Sequence, residues 1–373
     1  MICEKDTAFD VLAVVCSLLN KEDERKCEII WKTADEGHIQ DVIKKYDSLL
    51  KIVLESSLYE YRFNKDQIAF INLQLEELKK KTDAQHEIFH LAIAIEQRLA
   101  AYSDWINNSV FHAVQPLNNN IDETAIEIFP RTMPFWNLDK SERKREHKLN
   151  TRFQNYMIVR KEDKVPFELD VYYWNDSGLI RNTESGQNLT IALSPIMDYA
   201  ELDTIEKETE AGATITVNGL KNKKLVTRRV VDIFDRLFAK KYGIIAFTEC
   251  LGTEEMVAEI KQKMRMHPEI CTFVILPTIC ENSQNTLIVL GPGGIECLRH
   301  NKATPFIMTD KKGVAWREEL KYDNHIPVLV TKELGMVAFP ICAEFLDPEY
   351  FRVMMEEGMV DTIICPAFSP GVQ

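Results

Sequence analysis

What this chain lacks narrows the field before any motif is read. Its 373 residues have no basic excess: 45 Lys and Arg stand against 58 Asp and Glu, a formal net charge of −13. That balance argues against broad nucleic-acid binding, which needs a basic face. The nine cysteines are odd in number, irregularly spaced and contain no C-x-x-C, so neither a disulfide framework nor a zinc pattern is present and no metal site is expected. There is no G-x-S-x-G to signal a serine hydrolase, and neither G-x-x-x-x-G-K-[ST] nor G-x-G-x-x-G to signal a phosphate loop. "GPGG" (291–294) therefore reads as a hairpin turn. The opening "MICEKDTAFDVLAVVCSLLN" has an apolar run but no basic flank and no small-residue cleavage site. With no span long enough for a bilayer, the expectation is a reduced, cytoplasmic protein with no membrane association.

Gly and Pro are also scarce from residue 5 to about 112, so nothing there breaks a helix. Apolar residues recur at three- and four-residue spacing in 8–19, 39–58, 68–81 and 86–106, which predicts a helical region over 1–112. His86 and His90 stand at i and i+4. Without a third ligand candidate they read as two surface histidines of a helix. Residues 113–187 are different material, read as a linker. "PLNNNIDE" is a loop, "DKSERKREHKLN" a solvated charge run, "NYMIVRKEDKVPFELDVYYW" a short β segment with a turn near 161–164, and "NDSGLIRNTESGQN" a connection.

From 188 the texture becomes α/β. Buried strands are expected at 189–196, 242–249, 271–278, 285–291, 335–341 and 361–368. Amphipathic helices are expected at 227–241, with Val230, Ile233, Phe234, Leu237 and Phe238 on one face, and at 253–267, with Thr253 as cap. "PEYFRVMMEEG" (348–358) reads as a further helix, and "IECLRHNK" (295–302) pairs back as the second strand of a hairpin. Chemistry in such sheets gathers beyond the carboxyl ends of strands. Three reactive residues fall at such ends: Glu249 closes "YGIIAFTE", Lys302 closes "IECLRHNK", and Cys342 follows "GMVAFPI". A lone Cys is usually core filling. An acid, a cation and a thiol together make a kit for acyl transfer. The thiolate attacks, the carboxylate takes the proton, and the ammonium and the next backbone N–H hold the oxyanion. On this reading Lys302 depresses the thiol pKa. His300 reads as a strand surface residue, and Glu318 and Glu319 are equally readable as solvated helix residues.

The order and local wording resemble the carbon–nitrogen hydrolase (nitrilase) superfamily. "IIAFTECLGT" is similar to its glutamate segment, "NKATPF" to its Lys-x-x-Pro context, and "GMVAFPICAEF" to its nucleophile strand. The resemblance covers about half the chain, Leu189 to Gln373. It implies an α/β, nitrilase-like α-β-β-α layered sandwich preceded by an all-helical N-terminal region. It implies Cys342 as nucleophile, Glu249 as general base, Lys302 as oxyanion cation and the Ala343 N–H as a substrate-binding oxyanion donor. A second glutamate is implied at Glu318 or Glu319, with Glu318 preferred. Glu344 would structure the turn after Cys342. No metal or organic cofactor is called for.

Three departures stand out. Thr248 replaces a common Pro, and about thirty residues including "TEAGATITVNGLKNKK" are inserted before the helix at 227 as a hairpin or flap. The chain also stops at "FSPGVQ", where family members continue, which implies a C-terminally incomplete sandwich. The expected activity is hydrolysis of a small-molecule amide or nitrile. The alternative is a regulatory module of a larger multidomain assembly, of the antiviral reverse transcriptase–nitrilase type, though no Tyr-x-Asp-Asp polymerase motif is present. The resemblance also implies a homo-oligomer.

Overall fold

A computed structural model describes residues 8–19, 64–78, 80–81, 84–99, 112–114, 126–130, 153, 155–160, 166–174, 189–196, 201–209, 212–321, 323–331 and 334–368, with single positions at 23, 26, 27, 41 and 44. The expected helix at 39–58 (apart from Asp41 and Lys44), the loop at 116–123, the charge run at 139–150 and the connection at 175–188 lie outside the described residues. The chain divides into two compact units, 1–109 with 116–164, and 110–115 with 165–373.

The first unit contains helices α1 (Ala8–Ser17), α2 (Lys65–Leu78) and α3 (Ala84–Arg98). Asn64 and Gln67 cap α2 reciprocally: Gln67 N donates to Asn64 Oδ1 at 2.9 Å and Asn64 N to Gln67 Oε1 at 2.8 Å. Val11, Leu12 and Val15 of α1 and Ile88, Leu91, Ala92 and Ile95 of α3 are buried. The helical unit also holds an antiparallel ladder of β2 (Ile126–Pro130) and β3 (Tyr156–Arg160), drawn from the segment read as linker. Tyr156 Oη ties that ladder to α3 by donating to Leu99 O at 2.6 Å. His90 is not a surface residue. It is fully buried, with Nδ1–H donating to His86 O at 2.7 Å. No group of three or more His, Cys, Asp or Glu that could hold a metal occurs among the described residues.

The second unit is mixed α/β. Its first sheet runs β1 (His112–Val114), β4 (Glu168–Trp174), β15 (His325–Thr331), β16 (Gly335–Ala338), β17 (Thr362–Ile363). The two halves of 155–174 therefore part: β3 pairs with β2, while β4 lies parallel to β15. The second sheet runs β10 (Ile279–Glu281), β11 (Gln284–Gly291), β9 (Phe273–Ile275), β8 (Ile244–Phe247), β5 (Ile191–Ser194), with β12 (Ile295–Asn301) on β11. The turn between β11 and β12 needs glycine. Gly294 has φ +71°, and a Cβ there would meet Lys261 O at 2.7 Å.

Strand β8, "IIAF", shows how an unbroken apolar run is used on both faces. Ile245 and Phe247 join the cluster under helices α4 (Lys223–Phe238) and α5 (Glu254–Met266). Ile244 and Ala246 join Trp174, Leu329 and Val337 of the first sheet in a second cluster. Helix α4 begins earlier than expected because Asn222 Oδ1 accepts from Leu225 N at 3.1 Å. Its buried face is Val226, Val230, Val231, Phe234 and Phe238, while Ile233 and Leu237 are only partly buried. Thr253 caps α5 as the sequence reading has it, accepting from Met256 N at 3.1 Å. Strand β5 is not wholly buried. It is an edge strand, and Ile191 and Leu193 are 50% and 73% exposed. A cavity of about 10 Å³ between the sheets, lined by Ile244, Phe273, Leu329 and Val337 among others, holds no ionisable group.

The third sheet runs β13 (Ile307–Thr309), β14 (Ala315–Glu318), β7 (Gly212–Leu220), β6 (Leu202–Thr209). Glu318 thus ends a strand rather than riding on a helix. No helix among the described residues is long and apolar enough to cross a membrane.

Phe234 is fully buried and stacks on Phe238 with ring centroids 4.9 Å apart. Phe234→Ala is expected to cost about 3–5 kcal/mol through the cavity it leaves. Denaturant unfolding followed by fluorescence should show this as a lower midpoint at unchanged slope. A loss below about 1 kcal/mol would mean that α4 is not anchored through this ring.

Candidate active site

Lys302 is the centre of the site. It follows β12 directly, and its register is set across the hairpin by Lys302 N donating to Asn285 O at 2.8 Å. Its side chain is 1% exposed. A buried ammonium needs partners that replace water. Here Nζ donates to Glu249 Oε1 at 2.8 Å and to Glu318 Oε2 at 2.7 Å. Burial alone would favour the neutral amine, but the two carboxylates outweigh it and hold the Lys302 pKa above its ordinary value.

Glu249 lies just beyond β8 and is 3% exposed. Its two oxygens have different neighbours. Oε1 takes Lys302 Nζ and Asn285 Nδ2, both at 2.8 Å. Oε2 takes the Phe368 N–H at 3.1 Å. Glu318, the last residue of β14, faces inward, and its Oε2 also accepts from Phe306 N at 2.9 Å. The next residue points the other way, as strand alternation requires. Glu319 is exposed and accepts from Thr216 Oγ1 at 2.7 Å. Of the two adjacent glutamates, Glu318 is the one that meets Lys302.

Cys342 begins a 3₁₀ turn (Cys342–Leu346) shortly after β16. Its φ is +49°, a left-handed conformation uncommon for a residue with a side chain. The amide is anchored by donation to Pro366 O at 3.0 Å. The Ala343 N–H lies in the first turn, among the amides a helix leaves without internal acceptors. Burial, with the Glu249 carboxylate beside it, pushes the Cys342 thiol up to about 12; Lys302 and the Phe368 N–H pull the other way and lose. The depressed thiol pKa expected from the sequence is thereby corrected. The loss of water and the Glu249 charge outweigh the Lys302 field at the sulfur.

Glu344, also fully buried, ties the two halves of the site together. Its Oε2 accepts from Ile341 N at 2.6 Å, just before the thiol, and its Oε1 from Ala303 N, just after the lysine. His300 Nε2 adds a third donor at 3.0 Å. His300 is 2% exposed, so the surface reading of it is corrected too. Its burial follows from its place in β12, two residues before Lys302 and on the same face.

The structure thus brings Glu249, Lys302, Glu318, Cys342 and Ala343 to one place. Sequence reasoning missed Asn285 and the Phe368 N–H. Asn285 was in principle findable. Counting back along the hairpin from its glycine turn sets it opposite Lys302, though the register shift between Val289 and Leu290 spoils a simple count. A backbone amide like that of Phe368 leaves no trace in sequence.

No protein-family model matches the chain, and a search of the curated proteins finds no match. Similar solved structures include an amidase from Nesterenkonia sp., with 13% identity over 48% of this chain and 64% of that one and a TM-score of 0.32. Another is a mutant of the amidase from Nesterenkonia sp. AN1 carrying acrylamide added at its active-site cysteine, with 13% identity over 48% and 67% and a TM-score of 0.33. A third is a carbon–nitrogen hydrolase from Helicobacter pylori G27, with 12% identity over 45% and 60% and a TM-score of 0.29. The chain thus spans about 64% of the length of the first of these amidases.

A thiol reacts as its thiolate. With the Cys342 pKa raised to about 12, its thiolate fraction grows about tenfold per pH unit well past the ordinary cysteine range near 8.5. Iodoacetamide labelling of the Cys342 peptide, timed by mass spectrometry, should keep climbing between pH 8 and 10. The same peptide in urea should level off above about pH 9. Levelling of the native protein at or below that pH would contradict the described environment. Separately, Glu344→Gln turns an amide donor toward Ile341 N or Ala303 N. It should cost about 1–3 kcal/mol for each amide left without an acceptor, read as a lowered melting temperature.

Proposed function

We propose that residues 188–373 form a nitrilase-like layered domain that hydrolyses non-peptide carbon–nitrogen bonds, an amide or a nitrile, through an acyl-enzyme on Cys342. The observation that carries this reading is the buried run Glu249–Lys302–Glu318 meeting the thiol at Glu249. The apolar cluster shared by the first and second sheets, with helices α4 and α5 on the far side of the second, supports the α-β-β-α arrangement.

The proposed chemistry follows from the two sides of Glu249. Oε1 is saturated by Lys302 and Asn285, which leaves Oε2 to take the thiol proton as sulfur bonds to the amide carbon. The carbonyl π pair moves to oxygen, where Lys302 and the Ala343 N–H receive it. When the tetrahedral species collapses, the C–N bond breaks and Glu249 returns the proton to the departing ammonia or amine. Water then adds to the thioester, Glu249 takes one of its protons, and the carbon–sulfur bond breaks to release the acid and restore the thiol. With a nitrile, the same attack gives a thioimidate; water adds to its carbon and the C–N bond breaks, releasing ammonia and leaving the thioester. A resting thiol suits this scheme, because the proton moves as the attack occurs and no free thiolate is needed. Close approach of acid, cation and thiol favours the hydrolase over a regulatory module, for which a splayed cluster would be expected.

A panel of short aliphatic and aromatic amides and nitriles, followed by ammonia release, tests the proposal. Cys342→Ala should abolish turnover. Glu249→Gln and Lys302→Met should each lower it by about 10²–10⁴-fold. Intact-mass analysis during turnover should show an acyl adduct on Cys342. Ammonia release that survives Cys342→Ala, or an adduct on another cysteine, would remove the proposed nucleophile.

A further inference from the structure

The inserted segment before α4 has a place in the site. It forms the hairpin β6–β7, and β7 pairs in parallel with β14, with Glu318 opposite Ile215. Strands β13 and β14 are three and four residues long. A two-stranded ribbon of that size is marginal by itself. The inserted strands, eight and nine residues long, complete a four-stranded sheet. Ala213, Ile215 and Trp316 pack as a small apolar cluster of its own, separate from the main cores. The root of the hairpin, Leu202 and Leu220, is fixed in the cluster under α4 and α5.

The backbone of β14 at Glu318 is consequently held from both sides. On the lysine side Glu318 N donates to Phe306 O at 2.8 Å. On the hairpin side Glu319 N donates to Ile215 O at 2.9 Å, and Thr216 Oγ1 reaches Glu319 Oε2 at 2.7 Å. On its β7 side, the strand end that carries this carboxylate is braced by the hairpin. We infer that the β6–β7 hairpin is a positioning arm for the site: it holds Glu318 on Lys302, and Thr216 is its positioning residue. This rests on the proposed role of the Glu249–Lys302–Cys342 cluster and adds an element that none of those residues contains.

The consequence is directional. The groups that act on the Cys342 thiol are Glu249, Lys302 and the Phe368 N–H, with the Cys365 sulfur 4.0 Å from Cys342 O. Glu318 acts through Lys302, by taking up part of its positive field. Loosening Glu318 leaves more of that field for the sulfur, so the thiolate forms at lower pH.

The test is the rate of Cys342 alkylation by iodoacetamide in the full chain, measured from pH 7 to 10. Glu318→Gln should raise the rate at pH 8 about tenfold, equivalent to one pH unit. Thr216→Val, which removes one hydroxyl without changing shape, should raise it about threefold, the scale of one ordinary hydrogen bond. Thr216→Ser should restore the native profile. Thr216→Val added to Glu318→Gln should give no further rise, because both act on one carboxylate. Glu319→Ala removes the same bond from its exposed end, so it should match Thr216→Val even where the latter folds poorly. If Glu318→Gln shifts the profile but Thr216→Val and Glu319→Ala do not, or add fully to it, the arm has no such role and the site reading stands. A rise in Thr216→Ser equal to that in Thr216→Val would likewise overturn it. If none of the variants, Glu318→Gln included, moves the profile, the site reading itself falls and the arm's role falls with it.

Discussion

The buried ammonium of Lys302 is the constraint on which the second unit depends. Removing that charge from water is costly, and one carboxylate alone would leave the pair poorly solvated. Two carboxylates over-compensate and leave the group net negative. The excess is met by neutral donors: Asn285 Nδ2, the Phe368 N–H and the Phe306 N–H. These groups come from different places. Asn285 belongs to the second sheet and Glu249 follows one of its strands, Glu318 belongs to the third, and Phe368 follows the last strand of the first. Satisfying one cation therefore fixes the ends of three sheets against one another. A purely apolar plug of the same volume would fill the space more cheaply. What it would not supply is a positive charge held at a fixed point beside a thiol.

Glu344 plays the complementary part along the chain. Lys302 and Cys342 are forty residues apart in sequence, and nothing local relates them. One carboxylate that accepts from the amide after the lysine and the amide before the cysteine sets their separation directly. His300 restrains that carboxylate from β12, so one strand and the residue after it deliver both the cation and the brace for the Cys342 turn. The raised thiol pKa fits this economy. A partly buried sulfur beside the Glu249 carboxylate is held as the thiol at rest.

Much of this was legible in the sequence, and the failures have physical causes. Strand ends, helix faces and the Thr253 cap follow from local periodicity and capping chemistry, so Glu249, Lys302 and Cys342 could be singled out. Glu318 against Glu319 was harder, because "AWREEL" reads as helix until β7 pairs with it and imposes a strand's alternation. The burial of His300 and His90 depends on what packs above them, which short-range pattern does not carry. Ile191 and Leu193 look like core by composition but share one face of a strand that ends its sheet among the described residues, and that face is exposed while Ala192 on the other is buried. The sign of the Cys342 shift failed for another reason. Residue type announces that Lys302 is positive, but only the folded structure shows that burial and the Glu249 carboxylate together outweigh it at the sulfur.

The backbone at the two ends of the site points to the same economy. Cys250, next to Glu249, has φ +66°, and Cys342 has φ +49°. Each such residue costs of order 1–3 kcal/mol unless its surroundings impose it. The surroundings are specific: Cys250 N donates to Thr278 Oγ1 at 2.7 Å and Cys342 N to Pro366 O at 3.0 Å. Both kinks occur where a strand has just ended and the chain must turn before leaving the sheet. A gentler exit would carry Glu249 and Cys342 outward along their own strands and away from Lys302. At position 250 glycine would take the same φ without strain, so the side chain there is tolerated rather than needed for the turn. At position 342 glycine would take it too, but the sulfur would be lost. The strain at Cys342 is therefore tied to its side chain, which distinguishes this cysteine from the buried thiols elsewhere in the sheets.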